Sequence, residues 1–114
     1  MARPSNKTAD PKNVSRQMRS ARFFGLLAET FRAMGDESRV KIIWSLAHGA
    51  LSVGQISELL GMSQPAVSHH LRTLRNLKLV QVRKSGTTAF YSLDDEHIDR
   101  LLKQGTEHVE DLMK

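Results

Sequence analysis

At 114 residues with 39% hydrophobic side chains, the chain suits one compact domain whose modest core a second copy would help to cover. It contains no cysteine, which excludes disulfides, iron–sulfur clusters, thiolate metal sites and thiol redox sensing, and leaves His and carboxylates as metal ligands. The formal charge of +5 is unevenly spread: residues 59–93 hold five basic and no acidic groups, whereas residues 94–114 hold three basic and seven acidic ones.

Residues 1–13 (MARPSNKTADPKN) combine two prolines with polar and charged groups and lack periodicity, so a disordered basic arm is expected there, and a folded domain over 14–114. From Val14 to Met34 the positions Phe24, Leu27, Phe31 and Met34 form one helical stripe, with Phe23 and Leu26 beside it. A helix apolar on two faces in so short a chain implies that one side meets a partner chain. Gly35 ends this helix, and Asp36 caps a second in which Val40, Ile43, Trp44 and Ala47 share a face, with Trp44 expected in the core and His48 and Gly49 closing it. Ser52 with Gln55 reads as a capping box for a short third helix, buried through Ile56, Leu59 and Leu60, and Gly61 permits a tight turn. Ser63 caps the fourth helix, which tolerates Pro65 in its first turn and repeats Val67, Leu71, Leu74 and Leu77 on one face. The runs VQVRK and TAFYSL alternate around Ser85-Gly86 as a β-hairpin, and Asp94 or Asp95 caps a last helix reaching about Met113, with Ile98, Leu102, Val109 and Leu112 on one side. The order is ααααββα: mainly α with a small hairpin, a winged helix-turn-helix whose first and last helices form a homodimer. No run approaches the ~18 apolar residues of a membrane span and the N-terminus has no apolar signal segment, so a cytoplasmic chain without a membrane partner is expected.

If Val67, Leu71 and Leu74 point inward, Gln64, Pro65, Ser68, His69 and Arg72 project outward from the N-terminal half of the fourth helix, the half that enters a DNA groove. Gln offers paired donors and acceptors suited to adenine, and Ser, His and Arg add contacts to base edges or phosphates. His70 lies between faces and reads as structural. Arg83 and Lys84 flank the hairpin tip and would meet phosphates or the minor groove; Arg16, Arg19 and Arg22 add long-range attraction. The candidate DNA-binding set on double-stranded DNA is therefore Ser63, Gln64, Pro65, Ser68, His69, Arg72, Arg83 and Lys84.

The segments GDESRVKIIWSL, SELLGMSQPAVSHHLRTLRNLKLV, the wing and YSLDDEH together resemble the ArsR/SmtB family of metal-sensing winged-helix repressors, over about Leu26 to Asp111. The resemblance implies a dimer on an inverted-repeat operator, released from DNA by a metal ion. One departure matters: where many members place cysteines, this chain reads ALSVGQI, with Ser52 and Gly54 at those positions, so thiolate sensing of arsenite, lead or cadmium is not expected. The family's other ligand pattern, on the last helix, is filled by Asp95, His97, His108 and Asp111.

That pattern also has a physical reading. Eleven residues advance a helix by roughly 16 Å and return within about 20° of the same direction, so His97 and His108 share a face but not an ion. Two last helices packed antiparallel about a two-fold axis would bring Asp95 and His97 of one chain to the partner's His108 and the partner's Asp111, with Leu101 and Gly105 on the seam. Two His and two carboxylates suit tetrahedral zinc, with cobalt as a surrogate; nickel prefers additional ligands. The alternatives are a metal-blind transcription factor of the same fold responding to another signal, and a nickel or cobalt sensor using the same site. A zinc hydrolase is disfavoured: there is no HExxH motif or nucleophile–base pair, four protein ligands leave no open position, and no small organic substrate is expected.

Overall fold

The computed structural model describes residues 7–114; the first six residues of the expected arm lie outside the described residues. In chain order the elements are α1 (Pro11–Arg16), α2 (Ala21–Met34), α3 (Glu37–Leu46), β1 (Leu51–Ser52), α4 (Val53–Leu60), α5 (Gln64–Asn76), β2 (Val80–Ser85), β3 (Thr88–Leu93) and α6 (Glu96–Leu112). From α2 onward this is the expected helical order with a wing, to which the short strand β1 is added.

The run expected as one helix from Val14 to Met34 is two. Asp10 accepts the N–H of Lys12 at 3.1 Å, with Pro11 opening α1, and the Ser20 hydroxyl accepts the N–H of Phe23 at 3.1 Å to open α2. Each cap satisfies donors that a helix start leaves open, so a second start inside the run is self-supporting and the chain turns across residues 17–20. The expected boundary between residues 13 and 14 thus falls inside α1.

β1 lies antiparallel against β3, with Leu51 opposite Tyr91 and Ser52 opposite Phe90, giving a three-stranded sheet in the order β1-β3-β2. Hairpin register runs from Val80 opposite Leu93 to Ser85 opposite Thr88, leaving the two-residue turn Gly86-Thr87 with Gly86 at φ +64°. A left-handed φ at the first turn position is what lets so tight a hairpin follow the twist of its strands.

The core forms where α3, α4 and α5 meet the foot of the hairpin. Ile42, Ile43, Ile56, Val67, Leu71 and Leu74 are fully buried, and Val80 and Ile98 tie the wing and α6 to them. Each such side chain contributes about 1.5–3 kcal/mol relative to leaving it exposed. Trp44, expected in this core, is instead 48% exposed, and Leu59 is 63% exposed. The apolar residues of α3 span more than half of its circumference, and packing against α4 and α5 selects Ile42, Ile43 and Leu46 as its inner face, which turns Val40 and Trp44 outward.

Helix α2 buries only Ala33, while Phe24, Leu26, Leu27 and Phe31 remain exposed. The radius of gyration is 17.4 Å, against about 13 Å for a compact chain of this length. The molecule is drawn out to 56 × 38 × 21 Å.

Candidate nucleic-acid interface and the outer strip of the last helix

Helix α4 is fixed at its start by the reciprocal Ser52–Gln55 capping box and ends at Gly61, whose φ of +65° makes the turn into α5. Ser63 then caps α5 by accepting the N–H of Ala66 at 3.2 Å. With Val67, Leu71 and Leu74 facing inward, Gln64, Pro65, His69 and Arg72 stand exposed and Ser68 half-buried on the outer side. Ser63 is exposed too, but its hydroxyl is committed to the cap. The Gln64 side chain reaches back towards α4, close enough that a Cβ on Gly54 would sit 3.7 Å from its Nε2.

On the wing, Arg83 and Lys84 are exposed on β2, opposite Phe90 and Ala89. Between wing and helix runs a groove lined by Ser68, Arg72, Arg75, Asn76 and Tyr91. Arg75, Asn76 and Tyr91 were not among the residues singled out from the sequence. The helical spacing of Arg72, Arg75 and Asn76 was a usable signal; the arrival of Tyr91 was not, because it depends on the hairpin folding back beside α5. None of the ion pairs among the described residues engages Arg72, Arg75, Arg83 or Lys84. Their charge faces solvent, as a phosphate-binding surface requires.

Helix α6 presents the other candidate group. Its inner side carries Ile98 and Leu102, whereas His97, Leu101, His108 and Leu112 fall within about 60° of one another on the outer side. Asp95 caps the helix, accepting the N–H of His97 at 2.8 Å, and the same carboxylate oxygen lies 3.2 Å from His97 Nδ1. Desolvation acts to raise the Asp95 carboxyl, but the hydrogen bonds from the His97 ring and backbone outweigh it and hold the group below its ordinary value. Asp111 is exposed and pairs with Lys114 at 3.4 Å. Among the described residues of one chain, no three His, Asp or Glu side chains converge as a metal-holding group.

The donor set still fits a tetrahedral cation in one respect. Metal–ligand bonds of about 2.0–2.1 Å imply a ligand-to-ligand edge of about 3.3 Å. The Asp95–His97 separation of 3.2 Å matches such an edge, and both groups are open to solvent. His108 and Asp111 lie some three turns farther along, so completing the set needs a second helix.

Comparison with known proteins places this geometry among regulators. The family described as "Bacterial regulatory protein, arsR family" matches residues 36–82, from the cap of α3 into the wing. The chain is 44% identical over 77 residues to the HTH-type transcriptional regulator KmtR of Mycobacterium tuberculosis, covering 68% of this chain and 59% of that protein. It is 40% identical over 83 residues to the cadmium resistance transcriptional regulatory protein CadC homolog of Staphylococcus aureus, covering 72% and 69%. Among solved structures, the homodimeric winged helix-turn-helix DNA-binding domain Mb0332 of Mycobacterium bovis superimposes with a TM-score of 0.77 at 25% identity, over 85% of this chain and 93% of that one. These relatives are regulators rather than enzymes. No described helix is long and apolar enough to cross a membrane.

Proposed function

We propose, on the premise that the chain belongs to the ArsR family of bacterial regulatory proteins, that it is a metal-responsive, zinc-preferring repressor acting in the cytoplasm on inverted-repeat operator DNA. Two chains associate through α2 and α6 and set their α5 helices about 34 Å apart, one turn of B-DNA. Gln64, Ser68, His69 and Arg72 read bases, Ser63 and Pro65 open the reading helix against the duplex, and Arg83 and Lys84 hold phosphates. Arg75 and Asn76 extend the phosphate contacts along the groove beside Tyr91.

The observation that carries the metal half is the Asp95–His97 pair, a carboxylate oxygen and an imidazole nitrogen 3.2 Å apart on a strip whose apolar residues Leu101 and Leu112 stand exposed. Asp95 and His97 of one chain, with the partner's His108 and the partner's Asp111, would hold the ion; once bound it supplies a cross-link between the two α6 helices. In the absence of ions, Asp95 orients the His97 ring and starts α6, so the half-site is formed before the second chain contributes. Linkage then requires that whatever factor metal takes from DNA affinity, DNA takes from metal affinity, typically about 1–3 kcal/mol.

Fluorescence anisotropy tests this on an operator selected from a random duplex library. Zinc, cobalt and nickel are added in turn to the wild-type complex and to His97→Ala. Zinc should release the wild type, whereas His97→Ala should bind DNA normally and ignore zinc. Release of the variant would disprove the site, and indifference of the wild type to all three ions would establish a metal-blind regulator.

A further inference from the structure

A part-buried polar link joins α2, α3 and α5 where they meet. Arg39, half-buried in the first turn of α3, donates from Nε to the carbonyl of Ala33 at 2.6 Å and turns Nη1 towards His70 Nδ1 on α5 at 3.4 Å. Its backbone N–H meets the Asp36 cap at 3.0 Å, and the Asp36 carboxyl is held below its ordinary value by that hydrogen bond first, with the charge of Arg39 assisting against desolvation. Among residues 8–114, the two bonds from the Arg39 guanidinium are the only side-chain hydrogen bonds that reach farther than five residues along the chain.

Each partner fits arginine in particular. Ala33 belongs to the last turn of α2, where carbonyls lack intrahelical donors and the helix dipole favours a cation. A guanidinium has donors only, so His70 Nδ1 must accept, which assigns the ring proton to Nε2. The planar fork serves both partners at once in a way a lysine point donor cannot. The ring of His69, one of the outward-facing readers, lies against His70 with centroids 5.9 Å apart.

We propose that Arg39 is a positioning residue for DNA recognition: it ties the end of α2 to His70 and so fixes the rotation of α5 that presents His69 and Arg72 to the groove. This rests on the DNA-binding reading above. It also gives α2, whose outer face is apolar and exposed, a direct polar route to the reading helix.

The test compares the operator with a scrambled duplex of equal length at fixed salt, for wild type, Arg39→Lys, His70→Leu, the double variant and His70→Gln. Arg39→Lys and His70→Leu should each lower the operator-to-scrambled affinity ratio roughly tenfold, and the double variant should be no worse than either, as expected for partners in one link. Affinity for scrambled DNA and its salt dependence should not change. His70→Gln, whose carbonyl can accept from Arg39, should restore the ratio. Nitrogen NMR of the imidazole should show the Nε2–H tautomer of His70 in the wild type and lose that fixation in Arg39→Lys. Additive losses, an unchanged ratio in Arg39→Lys, or failure of His70→Gln to rescue would overturn the proposal. Equal losses on both duplexes would make His70 a direct phosphate contact instead. If the wild type itself shows no operator preference, the DNA-binding reading fails with it, while the NMR signature still reports whether the link exists.

Discussion

Helices α5 and α6 both carry histidines on their outer faces, yet they are finished to different degrees within one chain. Helix α5 buries Val67, Leu71 and Leu74 completely and spends its outer face on polar and basic groups. Helix α6 is longer but buries only Ile98, and leaves Leu101 42%, Val109 49% and Leu112 70% exposed. Burial of apolar surface is the main favourable term in folding, so the reading head is complete in one chain whereas the last helix awaits another surface. Charge divides them in the same sense, because residues 59–93 are free of acidic groups and seven are gathered in residues 94–114.

The sharpest way to break this comparison is to remove a side chain from each helix. Leu71→Ala should cost about 2–5 kcal/mol, because it empties a fully buried site in the core cluster to which Ile42 and Ile56 also belong. Leu112→Ala should change the unfolding free energy of the dissociated chain by no more than about 0.5 kcal/mol. Urea unfolding at a protein concentration low enough to hold the chain monomeric measures both, and equal effects would show that α6 is supported by its own domain. A second contrast concerns recognition. Gln64→Ala should lose about 1–3 kcal/mol of discrimination at one operator position, whereas Lys84→Ala should weaken every duplex alike and lower the salt slope by about 1. Anisotropy on single-base operator variants separates the two.

Much of the self-contained half could be read from local sequence. The caps at Asp36 and Ser63, the Ser52–Gln55 box, the turn at Gly61 and the hairpin tip at Gly86 depend on residues within a few positions of one another, whereas the cap of α6 was legible only as Asp94 or Asp95. The inner face of α5 was equally plain, because only one side of that helix is apolar. Features settled by distant contacts were hidden. Trp44 and Val40 lie at one edge of an apolar arc that covers more than half of α3, and neighbouring elements, not periodicity, choose which part of the arc is buried. Strand β1 is two residues long, too short for alternation to register, and exists through pairing with β3. The stop at residues 17–20 was masked by the apolar residues on either side, although Ser20 was present as a cap. For the candidate ligands, Asp95 and His97 meet because Asp95 stands at the N-cap and not within the helix, where residues two apart face different ways, while the partner needed by His108 and Asp111 cannot be encoded in the geometry of one chain.

Gly105 sharpens the contrast on α6. A Cβ built there meets nothing within 4 Å in the single chain, so glycine is not required by the domain's own packing. Gly105→Ala should therefore stabilise the dissociated chain by up to about 1 kcal/mol through helix propensity. If the outer side of α6 is the seam of a dimer, the same methyl group should weaken association by interrupting close helix approach. Sedimentation equilibrium beside urea unfolding reads the two effects, and a gain in both would remove Gly105 from any interface.

The smallest effect separates the two capping carboxylates by what each one supports. Asp36 and Asp95 are both held below their ordinary values, Asp36 chiefly by the N–H of Arg39, and Asp95 by His97 against an opposing desolvation. A carboxyl whose pKa is lower in the folded than in the unfolded chain stabilises the fold above its unfolded value near 4, and that contribution disappears as pH falls through the lowered folded value. Asparagine caps a helix about as well as aspartate but does not titrate in this range. Asp36→Asn should therefore flatten the fall in global unfolding temperature between about pH 5 and pH 3, because α3 lies in the core. Asp95→Asn should leave that global limb in place and alter only the acid fraying of α6, read by amide exchange at residues 96–100, because a helix joined to its domain mainly through Ile98 can loosen without unfolding the head. Were Asp95→Asn to flatten the global limb as strongly as Asp36→Asn, α6 would belong to the same cooperative unit as the head, and the division between them would have to be redrawn.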